Sequence, residues 1–93
     1  MHGECKSPGA KLVVVDFDLV DGLLTDVQVS GDFFLIPDEA LVRINAGLEG
    51  TPAATVLADL IARIEGQLAP TDRLVGITPE AVAIAIERAM GRQ

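Results

Sequence analysis

The sequence predicts a small α+β domain in which an N-terminal β-hairpin is packed by about three α-helices, in the order ββααα. Two segments of alternating apolar and polar residues flank an Asp-Gly pair, and three segments with helical spacing follow them. A chain of 93 residues has room for one core only. We expect residues 1–10 to form a flexible N-terminal segment and residues 11–93 to form the single domain.

The hairpin strands are predicted over residues 11–20 and 23–30. Because side chains alternate between the two faces of a strand, one face of each strand is predicted to face inward. The inward residues are Val13, Val15, Phe17 and Leu19 in the first strand and Leu23, Thr25, Val27 and Val29 in the second. Asp21-Gly22 between them tolerates the positive φ angles of a type I′ turn. Because a lone hairpin is marginal in water, we expect the helices to cover its apolar face.

Each predicted helix begins at a proline. Pro37 suits the first helical position, since its missing N–H would be unpaired there. Thr51 is predicted to cap a second helix, whose apolar residues recur at spacings of three and four from Ala53 to Leu68. Thr78-Pro79 opens the last helix.

Composition excludes several classes of function. Fourteen acidic against seven basic side chains give a net charge of −7, which argues against nucleic acid and against an anionic membrane surface as partners. No apolar run is long enough to span a bilayer, and the first residues do not form a secretory signal, so we expect a cytoplasmic protein. The single His and single Cys show no metal-ligand spacing, and no Gly-rich phosphate loop is present. We therefore expect no metal site, no bound cofactor and no catalytic residue in this chain alone.

The segment from Ser30 to Pro37 departs from the pattern, because Phe33 and Phe34 are two of only three aromatic residues. In a strand, adjacent side chains point to opposite faces, so at most one of the two rings enters the same core. Either one ring fills the hairpin–helix junction while the other packs under a loop, or one ring lies on the surface as a partner anchor. Either Phe33 or Phe34 could be the ring that enters the core.

Neighbouring residues allow two roles each. Gly31 supplies a turn or bulge. Asp32 either caps backbone N–H groups of that turn or meets a cation on another chain. Lys6 and Lys11 are either solvated edge charges or contacts to a phosphate or carboxylate.

Several of these residues carry a resemblance to a known family. The stretch Lys6-x-Pro8-Gly9-x-Lys11-Leu12-Val13, the stretch from Val27 through Ser30-Gly31-Asp32-Phe33-Phe34, and the Leu48-Glu49-Gly50 sequence resemble the C-terminal domain of lipoate–protein ligase. The resemblance runs from about Lys6 to Ala89. This chain departs from the family where Ala10 replaces a glycine and Cys5 replaces an aromatic residue.

The resemblance implies a function. In that family the small domain either follows a large catalytic domain or is a separate accessory subunit, and the length and the start at Met1 favour the separate form. The complex would use ATP, Mg²⁺ and lipoate to form lipoyl-adenylate, and would then transfer the lipoyl group to acceptors such as an E2 subunit or the H protein. This chain would support the first step by binding a large catalytic subunit through its partner-binding residues, predicted as Gly31, Asp32, Phe33, Phe34, Lys6 and Lys11. The alternative is a non-catalytic interaction or regulatory module of the same ancestry.

Overall fold

A computed structural model describes residues 1–6 and 11–92 and confirms the α+β class. The elements follow in the order β1 (His2–Cys5), β2 (Val13–Val20), β3 (Leu23–Gly31), β4 (Phe34–Ile36), α1 (Glu39–Leu48), α2 (Leu57–Glu65), β5 (Arg73–Val75) and α3 (Pro79–Ala89). The strands form two antiparallel sheets, β1-β2-β3 and β4-β5. None of the helices in the described ranges is long and apolar enough to cross a membrane.

The N-terminal residues form a strand, which corrects the prediction of a flexible segment over residues 1–10 for residues 2–5. β1 pairs with β2, from His2 opposite Asp16 to Cys5 opposite Val13. β1 also lies so close to α3 that a Cβ on Gly3 would fall 2.0 Å from the carbonyl oxygen of Ala85. The fit of a glycine against α3 therefore stabilises a strand too short to be recognised from its own pattern. Residues 7–10 lie outside the described part of the chain.

The β2–β3 hairpin is confirmed, and its turn at Asp21-Gly22 has φ angles of 53° and 76°. The predicted inner face of β3 is only half right. Asp16 pairs with Gln28 whereas Asp18 pairs with Thr25, so β3 carries one extra residue between these pairs. This bulge shifts the alternation, and the buried side chains of β3 are those of Leu24, Val27 and Val29, while Leu23 is exposed.

Two of the three helices begin later than predicted. α1 begins at Glu39 with Asp38 as its N-cap, so Pro37 precedes the helix. Thr51 does not cap α2, because this helix begins at Leu57 with Val56 as its N-cap. Thr51 is instead fully buried, and its hydroxyl accepts a hydrogen bond of 3.1 Å from the guanidinium of Arg63. α3 begins as predicted, and the hydroxyl of Thr78 accepts a hydrogen bond of 3.1 Å from the backbone N–H of Ala81.

The core lies between the three-stranded sheet and the helices and consists almost entirely of aliphatic side chains. Val13, Val15 and Phe17 of β2 line it from the sheet, and Ile44, Ile64 and Ile86 line it from the three helices. The β4–β5 pair packs beside α1, and only its inner side contributes to the core.

Candidate partner-binding surface

The fold brings the predicted partner-binding residues to one end of the three-stranded sheet. Cys5 pairs with Val13, and Val13 pairs in turn with Gly31. Just beyond this row lie the residues that follow β1, precede β2 and follow β3, which include Lys6, Lys11, Asp32, Phe33 and Phe34. Segments far apart in the sequence therefore converge here.

Gly31 allows the chain to leave β3 at this end. Its φ is +144°, and a Cβ there would lie 2.1 Å from the carbonyl oxygen of Leu12. The same carbonyl accepts a hydrogen bond of 3.0 Å from the backbone N–H of Asp32. Both the conformation and the close approach therefore require glycine at this residue, which is the last of β3.

The predicted capping role of Asp32 is not seen. Asp32 is exposed, and its carboxylate accepts no hydrogen bond from residues 1–6 or 11–92. Its backbone N–H, and not its side chain, makes the local contact, with Leu12. The carboxylate is therefore available to a cation outside this part of the chain.

Phe33 and Phe34 differ in burial, as alternation predicts. Phe33 is half-buried and packs against the core, whereas Phe34 is 55% exposed. The side chain that enters the core at this junction is Leu35, which is 3% exposed. Phe34 is therefore the surface ring of the pair, and its role as a partner anchor remains a prediction.

Exposed apolar side chains of strands β4 and β5 lie beside Phe34 and form an apolar surface with it. Phe34 lies opposite Val75, and Ile36 lies opposite Arg73. Because residues directly opposite each other in a sheet share a face, these four side chains lie on one side, which we call the ribbon face. Phe34, Ile36 and Val75 are 55%, 50% and 42% exposed, respectively. Leu35 and Leu74 lie on the other side of the ribbon, toward the core.

A recess of about 190 Å³ adjoins the ribbon face. Its walls are mainly apolar and come from β4, the residues beside it and α1, namely Phe33, Phe34, Leu35, Asp38 and Leu41. Asp38 supplies the only charge in this lining. Although it is the N-cap of α1, its side chain makes no capping hydrogen bond. The recess therefore combines apolar walls with one unpaired carboxylate.

The two lysines have different surroundings. The backbone N–H of Lys11 donates to the carbonyl of Gly76 over 3.1 Å, which ties the entry of β2 to the residue after β5. The side chain of Lys11 lies beside Gly76, and a Cβ added to Gly76 would lie 2.7 Å from the Cγ of Lys11. Lys6 is exposed and forms no ion pair with the described residues. Lys11 thus borders the ribbon face at its Val75 end.

An ion pair holds β5 in place beside β4. The guanidinium of Arg43 on α1 donates to both carboxylate oxygens of Asp72, at 2.9 and 3.0 Å, and one of its nitrogens also donates to the carbonyl of Gln67. The other hydrogen bond to Asp72 comes from the backbone N–H of Ala69. The Asp72 side chain is 2% exposed, and the bonds from Arg43 and then from Ala69 hold its pKa below the ordinary value.

A second charged cluster lies on β1 and β2, away from the ribbon face. The two ring nitrogens of His2 lie 2.7 Å from Asp16 and 2.8 Å from Glu4, and these hydrogen bonds raise the pKa of the imidazole, with Glu4 contributing more. All three side chains are about half exposed. Within residues 1–6 and 11–92, no group of three or more His, Cys, Asp or Glu side chains has a metal-binding arrangement.

Sequence reasoning missed three of the four residues of the ribbon face. It found Phe34 because adjacent aromatics stand out, but Ile36 was assigned to the segment that joins the hairpin to the first helix, and no element was predicted at Arg73 and Val75. The only signal was the short sequence Arg73-Leu74-Val75, and three residues do not establish a strand.

Comparison with known proteins gave one kind of match. No protein-family model and no curated protein matches the chain. A solved structure does. The fold is similar to a chain from the structures of an archaeal lipoylation system, a bi-partite lipoate protein ligase and its E2 lipoyl domain from Thermoplasma acidophilum. The similarity has a TM-score of 0.72 and 26% sequence identity, and it covers 92% of each chain.

Proposed function

We propose that this chain is the accessory subunit of a two-part lipoate–protein ligase. It supports the formation of lipoyl-adenylate from lipoate and ATP by a separate catalytic subunit. The observation that carries the proposal is the similarity to a component of the T. acidophilum lipoylation system over 92% of both chains. A similarity of this extent concerns the whole domain and not a single motif. The Ser30 to Phe34 sequence supports the same family independently.

The chain acts without making or breaking bonds itself. In this proposal ATP, Mg²⁺ and lipoate bind to the catalytic subunit. A non-catalytic domain raises the rate of adenylation when its docking orders loops over the nucleotide and excludes water from it. The exposed ribbon face gives this chain a surface with which to dock. In this proposal the complex is cytoplasmic, and acceptors such as E2 or the H protein bind the catalytic subunit.

The second candidate is a lipoyl acceptor, because the T. acidophilum system also includes an E2 lipoyl domain. An acceptor must present a lysine amine for amide formation. The turn of the β2–β3 hairpin, Asp21-Gly22, carries no lysine. Of the two lysines in the sequence, Lys11 has its stem against Gly76, which leaves Lys6 as the freer amine. The observations favour the accessory subunit.

The deciding experiment co-expresses this chain with a ligase-fold chain from the same genome and measures lipoate-dependent ATP–pyrophosphate exchange. We expect exchange by the pair, much weaker exchange by the large chain alone, and none by this chain alone. Intact-mass spectrometry after incubation with lipoate and ATP tests the second candidate. A lipoyl adduct on Lys6 would overturn our proposal in favour of an acceptor, and binding without any change in exchange would favour a regulatory module.

A further inference from the structure

Charged residues of opposite sign lie on the two sides of the apolar part of the ribbon face, which consists of Phe34, Ile36 and Val75. Along the β4 side, Asp32 precedes the strand and Asp38 follows it. Along the β5 side, Arg73 begins the strand, and Lys11 is bonded to the residue that follows it. All four are exposed, and none forms an ion pair with another described residue. The apolar centre therefore lies between an acidic row and a basic row, both unpaired.

We infer that the ribbon face is the surface that docks on the catalytic subunit, at a site with an apolar centre, a basic row facing Asp32 and Asp38, and an acidic row facing Arg73 and Lys11. This inference rests on the proposed function. Large apolar side chains grouped in one exposed patch and rimmed by charge are typical of protein interfaces. An exposed aromatic at the centre of such a patch is the kind of residue that dominates binding energy. The recess beside Phe34 accepts a side chain of the partner, and Asp38 at its wall favours a basic one.

The charge distribution favours a different protein over a second copy of this chain. Each chain carries a net charge of −7, so two copies repel each other as they approach. A catalytic subunit with a basic surface around its docking site is attracted instead. The unpaired rows then fix the orientation of the two proteins, because a reversed orientation places like charges together.

The first test measures the Kd between this chain and the ligase-fold chain by isothermal titration calorimetry. We expect Phe34→Ala to raise the Kd roughly 30-fold, which is typical of a hot-spot residue at a protein interface. Val56→Ala is the control, since Val56 is also an exposed apolar residue, at 60%, but lies at the start of α2. We expect this control to change the Kd less than about 2-fold.

The second test reverses charges. Asp38→Lys and Arg73→Glu should each weaken binding roughly 10-fold at low salt, and the difference from wild type should shrink as salt is added. Glu65→Lys on α2 is the control for the change in net charge of Asp38→Lys, because Glu65 is exposed and lies outside the ribbon face. Equal weakening by Asp38→Lys and Glu65→Lys, with tighter binding of Arg73→Glu, would mean that net charge alone governs binding and would overturn the proposed pairing of rows.

The outcomes separate the inference from the proposed function. If the wild-type chain does not bind the ligase-fold chain, the proposed function fails. If it binds and raises adenylation while Phe34→Ala and Val56→Ala behave like wild type, the proposed function stands and the ribbon face is not the docking surface. If light scattering shows a dimer of this chain that Phe34→Ala dissociates, with no effect on the heteromeric complex, the occupant is a second copy and the inference is wrong.

Discussion

Replacing Gly31 with alanine should disrupt the candidate surface more than any other single methyl addition near it. The new Cβ would lie 2.1 Å from the carbonyl oxygen of Leu12 and 3.2 Å from the ring of Phe33, on a backbone with a φ of +144°. Backbone strain of this kind costs about 1–3 kcal/mol. Overpacking adds about 1–3 kcal/mol, since the carbonyl must move and the hydrogen bond that it accepts from Asp32 is then weakened. We therefore expect the free energy of unfolding to fall by about 2–6 kcal/mol.

A matched variant separates strain from overpacking. Gly22 in the hairpin turn has a φ of +76°, but a Cβ there would meet nothing within 4 Å. Gly22→Ala should therefore cost only the backbone term, about 1 kcal/mol. Urea denaturation of both variants measures the difference. Equal losses would show that the contact with Leu12 does not restrict this position, and our account of why Gly31 is required would be wrong.

Three further predictions concern the strand and side chains around this end of the sheet. Gly3→Ala, which adds a methyl against the backbone of α3, should cost about 1–3 kcal/mol and increase hydrogen exchange in β1; unchanged exchange would contradict the close packing. Phe33→Ala should cost about 1–3 kcal/mol because its ring is half-buried, whereas Phe34→Ala should change stability by less than about 0.5 kcal/mol; equal losses in urea would place both rings in the core. Because its two carboxylate contacts raise the pKa of His2, its contribution to stability is fully present below its unfolded pKa of about 6.5 and is lost as pH rises through the higher folded pKa. The difference in free energy of unfolding between wild type and His2→Gln should therefore fall over this pH range. A difference that does not change with pH would contradict the two carboxylate contacts.

The sequence was sufficient for elements whose signals are local. The β2–β3 hairpin follows from alternation around Asp21-Gly22, and the start of α3 follows from Thr78-Pro79. The register of β3 was not predictable, because the bulge near Asp26 depends on contacts made from outside the strand. The carboxylate of Glu49, beyond the end of α1, accepts hydrogen bonds from the backbone N–H groups of Asp26 and Val27, at 3.2 and 2.6 Å. Such a contact replaces a ladder hydrogen bond, and alternation along β3 does not reveal it.

The short strands escaped prediction for a related reason. β1 has four residues and β5 has three, and neither carries a pattern that distinguishes a strand from a loop. Their conformation is determined by partners distant in the chain, as when Gly3 fits against α3. For β5 the partner is Arg43 on α1, which holds Asp72 immediately before the strand. Only the assembled fold specifies these strands.

The candidate surface shows how a local anomaly and a long-range pairing combine. Adjacent phenylalanines after Gly-Asp predicted an exposed aromatic at this end of the domain, because aromatics are rare in this chain and a strand cannot bury both of them on one side. The sequence located the exposed ring but not its surroundings, since the apolar neighbour of Phe34 is Val75, which the pairing of β4 with β5 brings across from it. Arg43 and Asp72 hold β5 in place, although neither belongs to the ribbon face. If the ribbon face binds the partner, the residues that specify binding therefore include a buried carboxylate that the partner never contacts.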